Sequence, residues 1–171
     1  MSEIYEGVVF CSDELIARRT FTAHSVGLQL RFVRLAGEVF GIYRVAGRSD
    51  SFDQPTVEQI AQEVSTAVGR SIALFYDNSC DIRVGVLYRG GHRDREFGDG
   101  DAWWAPYGEQ GELVLDGPRL RVTDLLPNEE YDCIFSAIDA GLEAVGAGPH
   151  VSASLVKQAF CYEELAKFTE L

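Results

Sequence analysis

Residues 72–89, Ile72-Ala73-Leu74-Phe75-Tyr76-Asp77-Asn78-Ser79-Cys80-Asp81-Ile82-Arg83-Val84-Gly85-Val86-Leu87-Tyr88-Arg89, decide the fold class. Ile72 to Tyr76 is an apolar run rich in strand-forming side chains. Asp77-Asn78-Ser79 is turn chemistry, because short polar side chains hydrogen-bond the neighbouring backbone. Beyond it Ile82, Val84, Val86 and Tyr88 alternate with Arg83, Gly85, Leu87 and Arg89, the period of a strand. Two strands about a short polar turn make an antiparallel hairpin.

Upstream, Val57, Ile60, Ala61, Val64, Ala67 and Val68 form one apolar stripe at spacings of three and four, which predicts a helix over 55–69. Pro55 suits its first turn and Gly69 its stop. A second hairpin precedes it. Leu28, Leu30 and Phe32 alternate with Gln29 and Arg31, Ala36-Gly37 is the turn, and apolar residues resume at Val39. Residues 4–11 read as a first strand, and Ser12-Asp13-Glu14 as the cap of a short helix over about 13–19.

Downstream, the glycine-rich stretch 90–112 follows neither period and holds both tryptophans. A third hairpin is expected from Leu113–Leu115 and Leu120–Val122 about Asp116-Gly117-Pro118. Tyr131, Ile134, Phe135, Ile138, Leu142 and Val145 predict a helix over 128–146, with Asn128 as its cap and Gly146-Ala147-Gly148-Pro149 as its stop. Leu155, Val156, Ala159, Phe160, Leu165 and Phe168 predict another over 152–169, with Glu163 and Lys167 four apart on it. Because the strands come as hairpins, the expected class is α+β. It is an antiparallel sheet of about five to seven strands packed against three main helices, 55–69, 128–146 and 152–169.

At 171 residues one globular domain over 1–171 is expected. The start, Met1-Ser2-Glu3-Ile4-Tyr5-Glu6, is acidic where a signal peptide is basic, which predicts a cytoplasmic protein. Cys11, Cys80, Cys133 and Cys161 form no C-x-x-C pair, so reduced and mostly buried thiols are expected rather than a zinc site. A Cys133–Cys161 contact between the last two helices stays open. Arg outnumbers Lys 13 to 2, the usage of a GC-rich bacterial genome.

The formal net charge is −12, and it is uneven. Residues 1–85 hold 8 bases and 11 acids, a balance of −3; residues 86–171 hold 7 and 16, a balance of −9. Nucleic acid and anionic membrane are poor partners for such a chain, since both are bound through Lys and Arg. A basic protein is favoured. Solubility alone is the plainer explanation of the charge.

Motifs for chemistry fail individually. Cys11 lies before a helix start, but the loop to Arg18 has one residue too many for a phosphatase cradle, lacks glycine and carries two acids. Gly98-Asp99-Gly100 and Gly146-Ala147-Gly148 each lack a third glycine. His24, His92 and His150 share no metal-ligand spacing, and Asp94, Glu96, Asp99 and Asp101 lack the calcium-loop register. No G-x-S-x-G elbow is present. No catalytic, cofactor or metal residue is therefore assigned.

Trp103-Trp104 is the most informative local feature. Adjacent residues on an extended segment face opposite ways, so one ring can enter the core while the other anchors an interface. With Asp94, Glu96, Asp99, Asp101 and Tyr107 around them, Trp103 and Trp104 make a candidate partner-binding edge. The bland reading is that both rings roof one end of the core.

The leading expectation is a non-enzymatic acidic interaction module for a basic protein partner, such as an inhibitor, immunity-type or regulatory protein. The alternative is a small enzyme or ligand-binding domain with a pocket at the 90–107 loop and His92 and Arg93 as its polar groups. A structural homo-oligomer is a third reading.

Overall fold

The computed structural model describes residues 4–24, 29–44, 54–77, 82–98, 119–121, 136–162 and 167–168. Its strands are β1 (Ile4–Cys11), β2 (Leu30–Ala36), β3 (Val39–Arg44), β4 (Arg70–Asp77), β5 (Ile82–Arg89), β6 (His92–Gly98), β7 (Arg119–Arg121) and β8 (Lys167–Phe168). Its helices are α1 (Glu14–His24), α2 (Gln54–Val68), α3 (Ser136–Val145) and α4 (Ala153–Lys157), the last running into a π-helical turn, Gln158–Tyr162.

The strands form one sheet in the order β7-β6-β5-β4-β1-β3-β2-β8. Every pairing is antiparallel except β6–β7. The α+β class read from the hairpins therefore holds. Residues β1 to β4 with α1 and α2 form a βαββαβ unit in which β3 inserts between β1 and β2, the split βαβ connection. The hairpin at 72–89 is the β4–β5 ladder, Ile72 opposite Leu87 and Tyr76 opposite Arg83.

Both faces of the sheet are covered. On one, α1 and α2 pack Ala17, Val57, Ile60, Ala61 and Val64 against Val8, Phe10, Phe40, Ile42, Phe75 and Val86. On the other, α3, α4 and the π turn pack Ile138, Leu142, Val156 and Phe160 against Tyr5, Val9, Tyr43, Leu74 and Tyr76. Burial on two sides explains why β1 and β4 read as continuous apolar runs rather than clean alternations.

Local chemistry sets the element ends. The Asp13 carboxylate accepts from Ile16 N at 2.9 Å, capping α1 as expected, but the helix continues to His24 rather than stopping near residue 19. Ser152 Oγ accepts from Leu155 N, and Asp139 on α3 accepts from Ala153 N at 2.7 Å, so α3 helps start α4. Gly69 takes φ +92° where α2 turns into β4, a conformation costly for any residue with a Cβ.

Three expectations need correction. Among the described residues the sheet also takes in β6, inside the stretch expected to be irregular, and β8, inside the stretch expected to be helical. The expected helix over 152–169 is seen over Ala153–Lys157 and Gln158–Tyr162; residues 163–166, with Glu163, lie outside the described residues, and Lys167 pairs opposite Arg34 in β8. The 128–146 helix is seen as Ser136–Val145; residues 128–135, with Asn128, lie outside the described residues. Of the third hairpin, Arg119–Arg121 forms β7 and pairs parallel to β6, while 113–118 lie outside the described residues.

The π turn has a visible cause. It carries Phe160 onto the sheet over Gly7 and Gly41, where an added Cβ would meet the Phe160 ring at 2.7 Å in each case. Two glycines on adjacent strands thus form the seat for one ring. A π turn widens the helix by a residue and re-aims the side chains it carries.

Candidate functional site

The sequence places its candidates around 94–107. Asp94 and Glu96 are described; Asp99, Asp101, Trp103, Trp104 and Tyr107 lie outside the described residues. Strand period would put Asp94 and Glu96 on one face. It does not, because the β5–β6 register shifts between Leu87 and Tyr88: Leu87 pairs with Arg95 and Tyr88 with Arg93, leaving Asp94 as an extra residue in a bulge. Asp94 accepts from Arg89 Nε at 2.7 Å and lies 3.3 Å from Arg95 Nε. Glu96 goes to the α2 side, 2.8 Å from Arg93, which also reaches Glu58 of α2 at 3.7 Å.

Glu96 is only 1% exposed. It is a buried, paired group of the frame and offers no acidic surface to a partner. Arg93, expected to line a pocket, is committed to Glu58 and Glu96. A second buried pair, Glu6–Arg44 at 2.5 Å, sits on the same face of the sheet. Charges buried without a partner would cost several kcal/mol each, roughly, so both networks act first as structure.

The opposite face carries an aromatic stack. Tyr5 stacks on Tyr76 with ring centroids 5.1 Å apart and meets Phe160 edge-on at 5.6 Å, while Tyr43 stacks on Phe160 at 4.6 Å. Lys157 stands over the Tyr76 ring at 5.9 Å. The Tyr5 hydroxyl is buried and has no hydrogen-bond partner among the described residues. Burial pushes its pKa well above the usual tyrosine value, and nearby Cys161, Tyr76 and Asp139 add to the rise. Cys161, a free thiol in the π turn, points at the Ile4 carbonyl at 3.7 Å.

At the other end of the same face lies a row of cations. Arg70 faces Arg89 across β4–β5, and Arg89 faces His92 across β5–β6. Arg70 shares its face with Ile72 and Arg89 with Leu87, both in the core beneath α3. Arg95, paired opposite Leu87, joins them one step inward. Cys11 lies beside Arg70, since that guanidinium lowers its pKa; burial raises it more, and Glu38 adds to the rise, so the thiol stays protonated. Arg70 reaches the Ala144 carbonyl at the end of α3 at 3.4 Å.

This row is the part of the site that sequence reasoning missed. His92 was singled out, but as a loop residue, and the arginines were not. The available signal was Gly90-Gly91, both at positive φ (53° and 85°), which is the composition of a two-residue hairpin turn. The charged strand after it disguises β6.

Among the described residues, no group of three His, Cys, Asp or Glu side chains lies close enough to hold a metal ion. Nor, among them, is any helix long and apolar enough to cross a membrane. No protein-family model, curated protein or solved structure matches the chain.

Proposed function

We propose that this protein is a non-enzymatic interaction module that recognises a basic protein partner, in the manner of an inhibitor, immunity-type protein or regulator. One observation carries the reading. Nine acids fall between 99 and 135, where Arg119 and Arg121 are the only bases. Fields of one sign concentrated in this way steer and select oppositely charged partners.

Asp99 and Asp101 supply charge beside Trp103, Trp104 and Tyr107, the side chains that most often anchor interfaces. Asp94 is shared with Arg89 and Arg95 and contributes less. The free thiols of Cys11 and Cys161 suit a reducing, cytoplasmic setting.

Affinity capture from native lysate tests the proposal. The wild-type chain should retain a basic protein that is released by salt, because exposed charges are screened beyond ~8 Å at physiological ionic strength. The variant Asp99→Asn/Asp101→Asn/Trp104→Ala should lose it. Retention of every captured protein by that variant sinks the assignment. The alternative, a small enzyme or ligand-binding domain using 90–107, draws support from His92 and the arginines beside it rather than from Arg93.

A further inference from the structure

The arginine row raises a problem of charge. Arg70 and Arg89 stand directly opposite on neighbouring strands, an arrangement destabilising in itself. Arg95 adds a third guanidinium. Asp94 is the only carboxylate in ion-pair distance of these three among the described residues, and it is divided between Arg89 and Arg95. Arg70 has a single, long hydrogen bond to a carbonyl. His92 is exposed. Cys11, beside Arg70, is a protonated thiol and brings no charge, while Glu38 acts on that thiol from nearby. Among the described residues, the three arginines share one carboxylate in ion-pair distance and keep a positive excess at one end of one sheet face.

We infer that this row, Arg70, Arg89 and Arg95 with His92 at its edge, binds the phosphate group of a small phosphorylated molecule. A phosphate dianion is drawn by the positive excess. Its oxygens also match the fork of guanidinium donors, which a monoanion or a point-charge binder uses less well. The strands set the spacing. Arg70 and Arg89 rise from a regular ladder, and the bulge at Asp94 brings Arg95 and the carboxylate to the same side. Asp94 acts as the stand-in anion: it holds Arg89 and Arg95 in place and yields when phosphate arrives. The inference shares Asp94 with the partner-binding candidates and uses none of the residues between 99 and 135.

Calorimetric titration of the full chain with inorganic phosphate, and in parallel with phenyl phosphate, tests it, with sodium chloride at matched ionic strength as the blank. Saturable heat with phosphate and none with chloride is expected. Tighter binding of phenyl phosphate identifies an ester as the ligand, and equal binding identifies the phosphate group alone. Arg89→Gln and Arg70→Gln should each weaken binding at least ~10-fold, the loss of one bidentate charged contact. Arg89→Lys, which keeps charge but not the fork, should still lose several-fold. Asp94→Asn should bind more tightly, because the competing carboxylate is gone. Arg34→Gln, on the α1 side, should bind as wild type. Equal response to chloride and phosphate overturns the inference. So does unchanged affinity in Arg70→Gln/Arg89→Gln with its far-ultraviolet circular dichroism preserved.

Discussion

Each face of the sheet carries an aromatic stack that ends beneath a cation, and the two stacks differ in one respect. On the α1 and α2 side Phe21, Phe32 and Phe40 stack at 5.1 and 5.5 Å, with the Arg34 guanidinium 5.2 Å from the Phe40 ring. On the α3 side the stack is Tyr43, Phe160, Tyr5 and Tyr76, with Lys157 over Tyr76. The first is hydrocarbon throughout. The second brings three hydroxyls into the core and leaves one, on Tyr5, without a partner among the described residues. Buried charges follow the same division. On the α1 and α2 side Glu6 meets Arg44 and Glu96 meets Arg93. The cation excess at Arg70, Arg89 and Arg95 lies on the α3 side. The α1 and α2 face thus sets its buried carboxylates against arginines one to one, whereas the α3 face sets three arginines around one shared carboxylate among the described residues.

The largest expected effects test whether the two stacks are equal as structure. Phe40→Ala and Phe160→Ala should each cost about 4 kcal/mol in urea denaturation, the usual loss for a buried ring. A full loss at Phe40 with under about 1 kcal/mol at Phe160 would mean that the π turn is not part of the core. Next, Glu6→Ala should cost about 3 kcal/mol by removing the buried carboxylate that faces Arg44. Asp94→Ala, in a solvent-reached pair, should stay within about 1 kcal/mol of wild type. Comparable losses at both positions would erase the contrast between the two faces.

Gly41→Ala should cost about 1–3 kcal/mol by pushing Phe160 off its seat. The loss should shrink in a Phe160→Leu background, which a double-mutant cycle measures. Tyr5→Phe is the smallest and has the opposite sign, a gain of about 1 kcal/mol at neutral pH, because it deletes a buried hydroxyl with no partner. Its pH dependence is directional. The folded pKa of Tyr5 is raised, so the native state holds this proton more tightly than the unfolded chain. That stability is intact below the unfolded tyrosine value near 10 and is lost as pH rises toward the folded one. Denaturation from pH 8 to 11 should show a steeper alkaline fall in wild type than in Tyr5→Phe. Parallel curves would place the Tyr5 hydroxyl in contact with water.

Much of this frame was legible from residue pattern. β1, the β2–β3 turn at Gly37, α2 and the β4–β5 hairpin follow from periodicity and turn chemistry, because local preference and burial agree there. The failures share a cause. β6 is His92-Arg93-Asp94-Arg95-Glu96-Phe97-Gly98, five charged or polar residues that suggest a loop, and its bulge breaks the alternation that would betray a strand. Within the helix expected over 152–169, the π turn lies where tertiary packing seats Phe160, and propensity carries no record of Gly7 and Gly41 meeting it from far away in sequence. The arginine row was illegible for the same reason. Arg70, Arg89 and Arg95 come together only through cross-strand register. The acidic and aromatic candidates past residue 98 rest on the sequence, while Glu96 shows how a buried pair can look like surface acid.

Phosphate binding at the arginine row is tested most directly by following backbone amide resonances as inorganic phosphate is added to the full chain. The account predicts saturable shifts concentrated at Cys11, Arg70, Arg89, His92 and Arg95, with Arg34, Arg44 and Arg93 silent. Shifts centred on Arg34 and Arg44, or spread evenly over every arginine, would contradict it.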